Sequence, residues 1–339
     1  MENRNRQVLL KRRPTGAPTT ADFDIADGPI PDPGDEEVLV RGIYLSLDPY
    51  MRGRISGARS YAKPVDIGAV MEGRVVGQVV RSRDPGFREG DYVYGGYGWQ
   101  LYSAASAKDL IKLDPKEAPL STALGVLGMP GLTAYVGLSE IGRPQRGETV
   151  VVSAASGAVG AVAGQLAKRA GAQIVGIAGG ADKCRYVEGE LGFDAAIDHR
   201  GDLGAALDRA CPQGIDVYFE NVGGAVQQAV FPRLNDFGRM VMCGMVSEYN
   251  DVEPRPGPNL MSVVRKRLKI QGFIVSDEWQ RFGEYRAMAA PLVHNGELKY
   301  REDIVEGLDR APEAFVGLLN GRNFGKLLIE LGDDPTAGS

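Results

Sequence analysis

The residues best placed to do chemistry in this chain are glycines. Ala155-Ser156-Gly157-Ala158-Val159-Gly160 follows the apolar run Thr149-Val150-Val151-Val152. It leads into Val159, Val162, Ala163, Leu166 and Ala170, which recur at helical spacing until Gly171. The turn is a variant of G-x-G-x-x-G with Ala in the first position. At Gly157 no side chain keeps the backbone away from a pyrophosphate, and at Gly160 helix and strand can pack closely. Ala158 and Val159 lie between them, where the first turn of a helix aims its N–H donors outward. A strand before the turn and a helix after it make this dinucleotide-binding chemistry. A tight turn that holds no ligand is the plain alternative.

The second strand, Ile174-Val175-Gly176-Ile177, ends in Ala178-Gly179-Gly180-Ala181-Asp182-Lys183. The acid that would take the adenosine ribose hydroxyls of NAD is missing from that end. Gly180 instead leaves room for a 2′-phosphate and Lys183 can neutralise it. Charge-assisted bonds of this kind contribute about 1.5–3 kcal/mol each, enough to set a preference. Asp182 opposes it on charge alone and is expected to cap the helix that begins there. His199 and Arg200, after the third strand, could close over the same phosphate. The expected cofactor is NADPH/NADP.

These residues need a parallel sheet to hold them. Further strands are expected at Ala195-Ala196-Ile197, Asp216–Phe219, Arg239–Met242 and Lys269–Val275, the last as a buried strand, and Gly131–Ile141 can be helical. From the N-terminus to Leu120 the texture is different. Short apolar runs such as Glu37–Val40, Arg74–Val80 and Gly90–Tyr94 alternate with turns such as Pro31-Asp32-Pro33-Gly34, which suits a small β-barrel. The expected class is therefore α/β: a β-barrel unit over 1–124, a doubly wound parallel-sheet (Rossmann) unit over 125–305, and a return of 306–339 to the first.

Composition excludes several chemistries. The chain has 339 residues, with only 3 Cys and 2 His, and none of these has the spacing of a metal site, so no metal is expected. Neither His199 nor His294 sits in a recognisable triad setting. A net charge of −5 invites neither nucleic acid nor an anionic membrane. The basic run Arg265–Lys269 reads as a solvated helix end. The uncharged stretch Thr149–Ala167 is long enough to span a bilayer, but its glycines make it strand, turn and helix. The basic N-terminus reads as a first strand at Gln7–Leu10 rather than a transit peptide. Few cysteines point to a reducing compartment, and a cytoplasmic protein is expected.

The motifs together resemble a family. Ser46-Leu47-Asp48-Pro49-Tyr50-Met51-Arg52-Gly53, Leu127–Tyr135, the Ala155–Gly160 turn, Glu220-Asn221-Val222-Gly223-Gly224, Cys243–Asn250 and Asn323-Phe324-Gly325-Lys326 are similar to those of the zinc-free medium-chain dehydrogenases/reductases. The resemblance is to their leukotriene B4 dehydrogenase/prostaglandin reductase branch, nearest the bacterial curcumin reductase type. It covers essentially the whole chain. It implies a GroES-like catalytic domain, a Rossmann domain, a cleft between them and a homodimer. It also implies that Asn221 lines the cofactor cleft, that Cys243, Gly244 and the loop to Tyr249, with Phe273, Ile274 and Val275, line the nicotinamide side, and that Asn323 reaches the cofactor. Met129 and Thr133 are expected to contact the nicotinamide or its ribose, with core packing as the alternative. Cys243 reads as a small packing residue rather than a nucleophile.

The reaction implied is NADPH-dependent reduction of the C=C bond of α,β-unsaturated ketones and aldehydes. Charge builds on the substrate carbonyl oxygen and needs a donor there. Residues 1–183 contain neither Cys nor His, so the metal site of zinc-dependent relatives has no ligands. Tyr249 is the expected donor, since a phenol with a reference pKa of about 10 keeps its proton at neutral pH. Tyr50 is a second candidate, and Tyr61 is expected to shape the substrate mouth. A quinone reductase of the same superfamily and a non-catalytic NADPH-binding protein are the alternatives.

Overall fold

A computed structural model describes residues 4–337. The chain divides into two compact units, one taking in the residues up to Leu124, Glu302–Asn323 and those from Leu327 on, the other Gly125–Arg301 and Phe324–Lys326.

The first unit is antiparallel. Its strands are β1 (Asn5–Leu10), β2 (Phe23–Gly28), β3 (Glu37–Ser46), β4 (Val75–Ser82), β5 (Tyr92–Gly95), β6 (Tyr102–Ser106) and β7 (Ile111–Leu113), with a single helical turn, α1 (Met51–Arg54), after β3. β3 is long and nearly all buried because both its edges are used. One edge pairs with β4; the other takes β6 along Glu37–Arg41 and the C-terminal strand along Tyr44–Ser46. The β3–β4 register slips at Leu39/Val40 and at Gly42/Tyr44. Gly77 lies opposite that irregularity, where the Arg41 carbonyl leaves no room for a Cβ.

The second unit alternates strand and helix. Its helices are α2 (Met129–Val136), α3 (Gly160–Arg169), α4 (Ala181–Gly189), α5 (Leu203–Ala210), α6 (Gly224–Val230), α7 (Met261–Lys266) and α8 (Phe282–His294). They intersperse β8 (Thr149–Ser153), β9 (Gln173–Ala178), β10 (Ala195–Asp198), β11 (Ile215–Glu220), β12 (Leu234–Met242) and β13 (Lys269–Gly272). Among the described residues these form one parallel sheet in the order β10-β9-β8-β11-β12-β13. The chain winds outward from β8 through β9 to β10, then returns to the other side of β8 with β11. The carboxyl ends of β8 and β11 flank that reversal, where such sheets take ligands. The chain re-enters the first unit through β14 (Glu302–Glu306), α9 (Ala311–Leu319) and β15 (Lys326–Glu330), and the seven-stranded sheet runs β14-β15-β3-β4-β5-β7 with β6 on β3.

Several expectations need correction. The helix expected over Gly131–Ile141 starts at Met129 and widens to a π turn from Gly137, where a side chain would run into Phe219. On α3, Val162, Ala163 and Ala167 are buried, but Leu166 is half-buried and Ala170 exposed. β13 ends at Gly272, so Phe273–Val275 lie beyond the strand, and all four of its residues are exposed because it is the sheet's edge. Periodicity cannot tell an edge strand from a central one.

The C-terminal return closes the first core. Phe315 of α9 is fully buried, its ring 5.7 Å from Trp99 at 79° and 6.3 Å from Phe23 at 87°. Phe23 and Trp99 stack at 5.8 Å. Phe315→Ala is expected to lower unfolding stability by about 3–5 kcal/mol, measured by denaturant melts of the whole chain. A loss under about 1 kcal/mol, typical of a surface site, would contradict this packing.

Candidate functional site

The glycine turn begins with backbone in an uncommon conformation. Ala154, immediately after β8, has φ +50°, a left-handed geometry that a non-glycine residue adopts at a cost of about 1–2 kcal/mol. It aims the Ala154 carbonyl into the turn, where Gly157 N donates to it at 2.9 Å. A Cβ on Gly157 would lie 3.2 Å from that oxygen, and one on Gly160 would collide with it. Ala155 N donates to Ile177 O at 3.0 Å, tying the turn to β9. Ala158, Val159 and Gly160 thus stand at the start of α3, ahead of its first helical bonds, which run from Ala161 N to Gly157 O and from Ala163 N to Val159 O, both at 2.9 Å. The cradle fits the pyrophosphate of a dinucleotide.

Beyond β9 the backbone passes through Gly180 at φ +95°, a conformation suited to glycine. A Cβ on Gly179 would meet His199 Nε2 at 2.9 Å, and one on Gly180 would meet Arg200 Nη1 at 3.0 Å. Gly179, Gly180, His199 and Arg200 therefore gather at one strand end, with Lys183 in the first turn of α4. Asp182 does not cap that helix; its carboxylate pairs with Arg185, one turn on. The carboxylate bonded at this helix start is Asp198, whose Oδ1 accepts from Gly180 N at 3.0 Å and Arg200 N at 3.1 Å. Those two backbone donors, in that order, hold Asp198 below its ordinary value. Asp198 went unread because its signal, an acid ending a third strand, looks like any strand terminus.

The ends of β11 and β12 carry two loops that close on one another. Val246 N donates to Asn221 O at 3.1 Å and Ser247 N to Val222 O at 2.9 Å. Gly223, at φ +76°, has no space for a Cβ, which would sit 2.7 Å from Glu248 Oε1. The Tyr249 hydroxyl folds back over Gly244, 2.8 Å from where a Cβ would stand. Asn221 Nδ2 donates to Ser153 O at 2.8 Å. Burial first, then Glu220, pushes the Cys243 thiol up to about 12, which suits packing and not nucleophilic attack.

Met129 opens α2 and is half-buried, while the buried Thr133 donates its hydroxyl to Met129 O at 2.8 Å. The turn Val275–Arg281, which follows Phe273 and Ile274, packs on α2. Arg281 fastens the two: its guanidinium bonds Glu140 at 2.6 Å, Ser139 at 3.0 Å, the Tyr135 hydroxyl at 3.1 Å and both oxygens of Glu284 at 3.0 and 3.1 Å.

The remaining residues of interest belong to the first unit. Tyr50 precedes α1, half-buried, and burial followed by Asp48 raises its phenol far above the ordinary value. Tyr61 is 56% exposed. Arg54 lies between them, its guanidinium 5.4 Å from the Tyr50 ring and 4.6 Å from the Tyr61 ring, and is ion-paired with Glu72. Asn323, after α9, borders a cavity of about 180 Å³ with Asp303, Arg310, Glu313 and Arg322.

Comparison with known proteins decides the kinship. Residues 6–113 match a family model described as the N-terminal domain of oxidoreductase, and 158–293 one described as zinc-binding dehydrogenase. The chain is 48% identical to the NADPH-dependent curcumin reductase of Escherichia coli, over 98% of this chain and 99% of that one. It belongs to the zinc-independent medium-chain dehydrogenases/reductases, in the curcumin reductase/prostaglandin reductase branch. Within this family it is also 43% identical to the NADP(+)-dependent 2-alkenal reductase of Nicotiana tabacum, over 96% and 97% of the two chains. The crystal structure of CurA from Vibrio vulnificus in complex with NADPH matches at a TM-score of 0.93 and 46% identity, over 97% of this chain and all of that one. The fold is that of the medium-chain reductases, a GroES-like unit plus a Rossmann unit. Despite the description of the second family model, no group of three or more His, Cys, Asp or Glu among the described residues could hold a metal.

The Arg281 network yields a pH prediction. Arg281 first, then Tyr135, lowers Glu284 from 4.5 to about 2. A depressed carboxylate stabilises the fold above its unfolded value and loses that contribution as pH falls through the folded one. Glu284→Gln is therefore expected to lower Tm at pH 6 and to lose its difference from wild type as pH drops from about 4.5 to about 2. A difference that persists unchanged at pH 2 would assign the effect to packing.

Proposed function

We propose that the chain reduces the C=C bond of α,β-unsaturated ketones and aldehydes with NADPH. The observation that carries this reading is the acid-free end of β9. There Gly179 and Gly180 lie under His199 and Arg200, while the two carboxylates nearby are engaged, Asp198 by Gly180 N and Arg200 N and Asp182 by Arg185. The relatives' names agree: an NADPH-dependent curcumin reductase, an alkenal reductase and a pulegone reductase. Gly157, Ala158, Val159 and Gly160 would hold the pyrophosphate; Gly180, Lys183, His199 and Arg200 the 2′-phosphate. Met129, Thr133, Asn221, Cys243, Gly244, Phe273, Ile274, Val275 and Asn323 would border the remainder of the cofactor.

NADPH, when bound, would supply the hydride for the β-carbon of the enone, and a proton from solvent would complete the α-carbon. The chain's own part is electrostatic. Tyr249 donates a hydrogen bond from its hydroxyl to the substrate carbonyl oxygen, where negative charge accumulates. Its hydroxyl is held over Gly244, where a side chain would displace it. The Tyr50 phenol stays protonated and is the second donor. Tyr61, exposed and backed by the Arg54 guanidinium, forms the rim.

A cytoplasmic homodimer completes the reading. The cysteines are free, which agrees with a reducing compartment. No helix among the described residues is long and apolar enough to cross a membrane. Among the described residues β13 has no neighbouring strand on its outer edge, and Leu260, Met261 and Val264, shortly before it in the chain, are 64%, 53% and 73% exposed. An unpaired edge and exposed apolar side chains favour a second copy. Light scattering is expected to give twice the chain mass; a monomer at micromolar concentration would remove this part.

Purified protein mixed with NADPH and a panel of enones should consume the cofactor, followed by its absorbance, and consumption of none would overturn the proposal. Tyr249→Phe is expected to lower kcat by about a hundredfold, the scale of a positioned acid, while NADPH affinity stays near wild type. An unchanged kcat would move the donor role to Tyr50.

A further inference from the structure

Glu220 ends β11, is fully buried, and has no place in the reaction proposed above. A carboxylate is rarely retained in such a position unless its oxygens are used. Oε1 accepts from Ser153 Oγ at 2.8 Å and from Val222 N at 2.6 Å, whereas Oε2 makes no hydrogen bond. Ser153 Oγ in turn accepts from Asn221 N at 2.8 Å. The backbone carbonyl of the same glutamate accepts from Cys243 N at 3.0 Å and Gly244 N at 3.1 Å. The carboxylate also bears on Tyr218, whose phenol is raised well above its ordinary value by burial and then by Glu220, and on the Cys243 thiol.

One residue therefore contacts three segments. Ser153 is the last residue of β8, directly before the glycine turn; Asn221–Val222 form the loop after β11; Cys243–Gly244 open the loop that ends at Tyr249. From these bonds we infer that Glu220 is a positioning residue: through Oε1 and its backbone carbonyl it sets the relative placement of the turn that holds the cofactor and the loop that carries the proton donor. It touches no reacting atom. The inference rests on the NADPH-dependent reading for the identity of the ligand.

The amide of Glu220→Gln keeps an Oε1 acceptor for Ser153 and Val222, and its nitrogen takes the place of Oε2. Glu220→Ala removes the acceptor, which leaves Val222 N unmatched and Ser153 Oγ only the Phe219 carbonyl at 3.4 Å. NADPH affinity, measured by the fluorescence of the reduced nicotinamide, is expected to fall about tenfold in Glu220→Ala and to be restored to within about threefold in Glu220→Gln. Enone kcat should fall by a similar factor in Glu220→Ala with KM for the enone unchanged, a split that general loosening would not give. In a double-mutant cycle, Glu220→Ala should cost little further kcat once Tyr249 is Phe, because both act through one donor. A folded Glu220→Ala protein that binds NADPH like wild type overturns the inference. If Glu220→Ala does not fold, Ser153→Ala removes the bridging hydroxyl alone; it should weaken NADPH binding several-fold, and unchanged binding overturns the inference equally. The affinity measurements stand even if no enone is reduced, so failure of the reaction and failure of Glu220 are told apart.

Discussion

A parallel sheet concentrates its difficulty at the carboxyl ends of its strands. There the ladder stops, and the chain must turn sharply into a helix while every buried polar group still finds a partner. In this protein that constraint is met by bringing backbone against backbone. The Ala154 carbonyl is turned inward at positive φ to accept from Gly157, and Gly160 must then lack a side chain. The loops after β11 and β12 meet through Gly223 and through carbonyls of Asn221 and Val222. Such close approach sets the start of α3 directly beyond the carboxyl end of β8. The binding chemistry is thus a by-product of how the strands terminate.

Charge is distributed to match. The end of β9 carries His199 and Arg200 over two glycines, and the nearest acid, Asp198, is occupied with backbone N–H groups. The one deeply buried carboxylate among these strand ends, Glu220, is engaged by Ser153 and Val222. Asp198 is thus committed to protein donors through Oδ1 and Glu220 through Oε1.

Much of this was legible in the sequence because it depends on local rules. β8, the glycine turn, α3 and β9 announce themselves through an apolar run, a glycine spacing and a helical period, and Gly171 stops the helix as expected. What escaped depends on neighbours far along the chain. Asp198 and Glu220 look like ordinary strand-end acids, and only the fold reveals that one accepts from Gly180 and the other from Ser153. Asp182 looked like a cap because Asp favours helix starts, yet Arg185 offers its carboxylate a stronger partner. Lys269–Val275 reads as a buried strand, but the strand stops at Gly272 and lies at an edge, a fact set by sheet order alone.

The return of the chain into its first unit has a consequence for biogenesis. Phe315 and β15 complete a core and a sheet whose other members, Phe23, Trp99 and β3, lie in the N-terminal third. Synthesis proceeds from the N-terminus, so the first unit waits with an open β3 edge and an unfilled core until the last helix and strand emerge. The nucleotide-binding unit between them is almost continuous in sequence and has no such wait. Contacts between residues this distant are slow to form, because a long loop must close before they contribute. During that interval the half-built N-terminal sheet is the part of the nascent chain most exposed to aggregation.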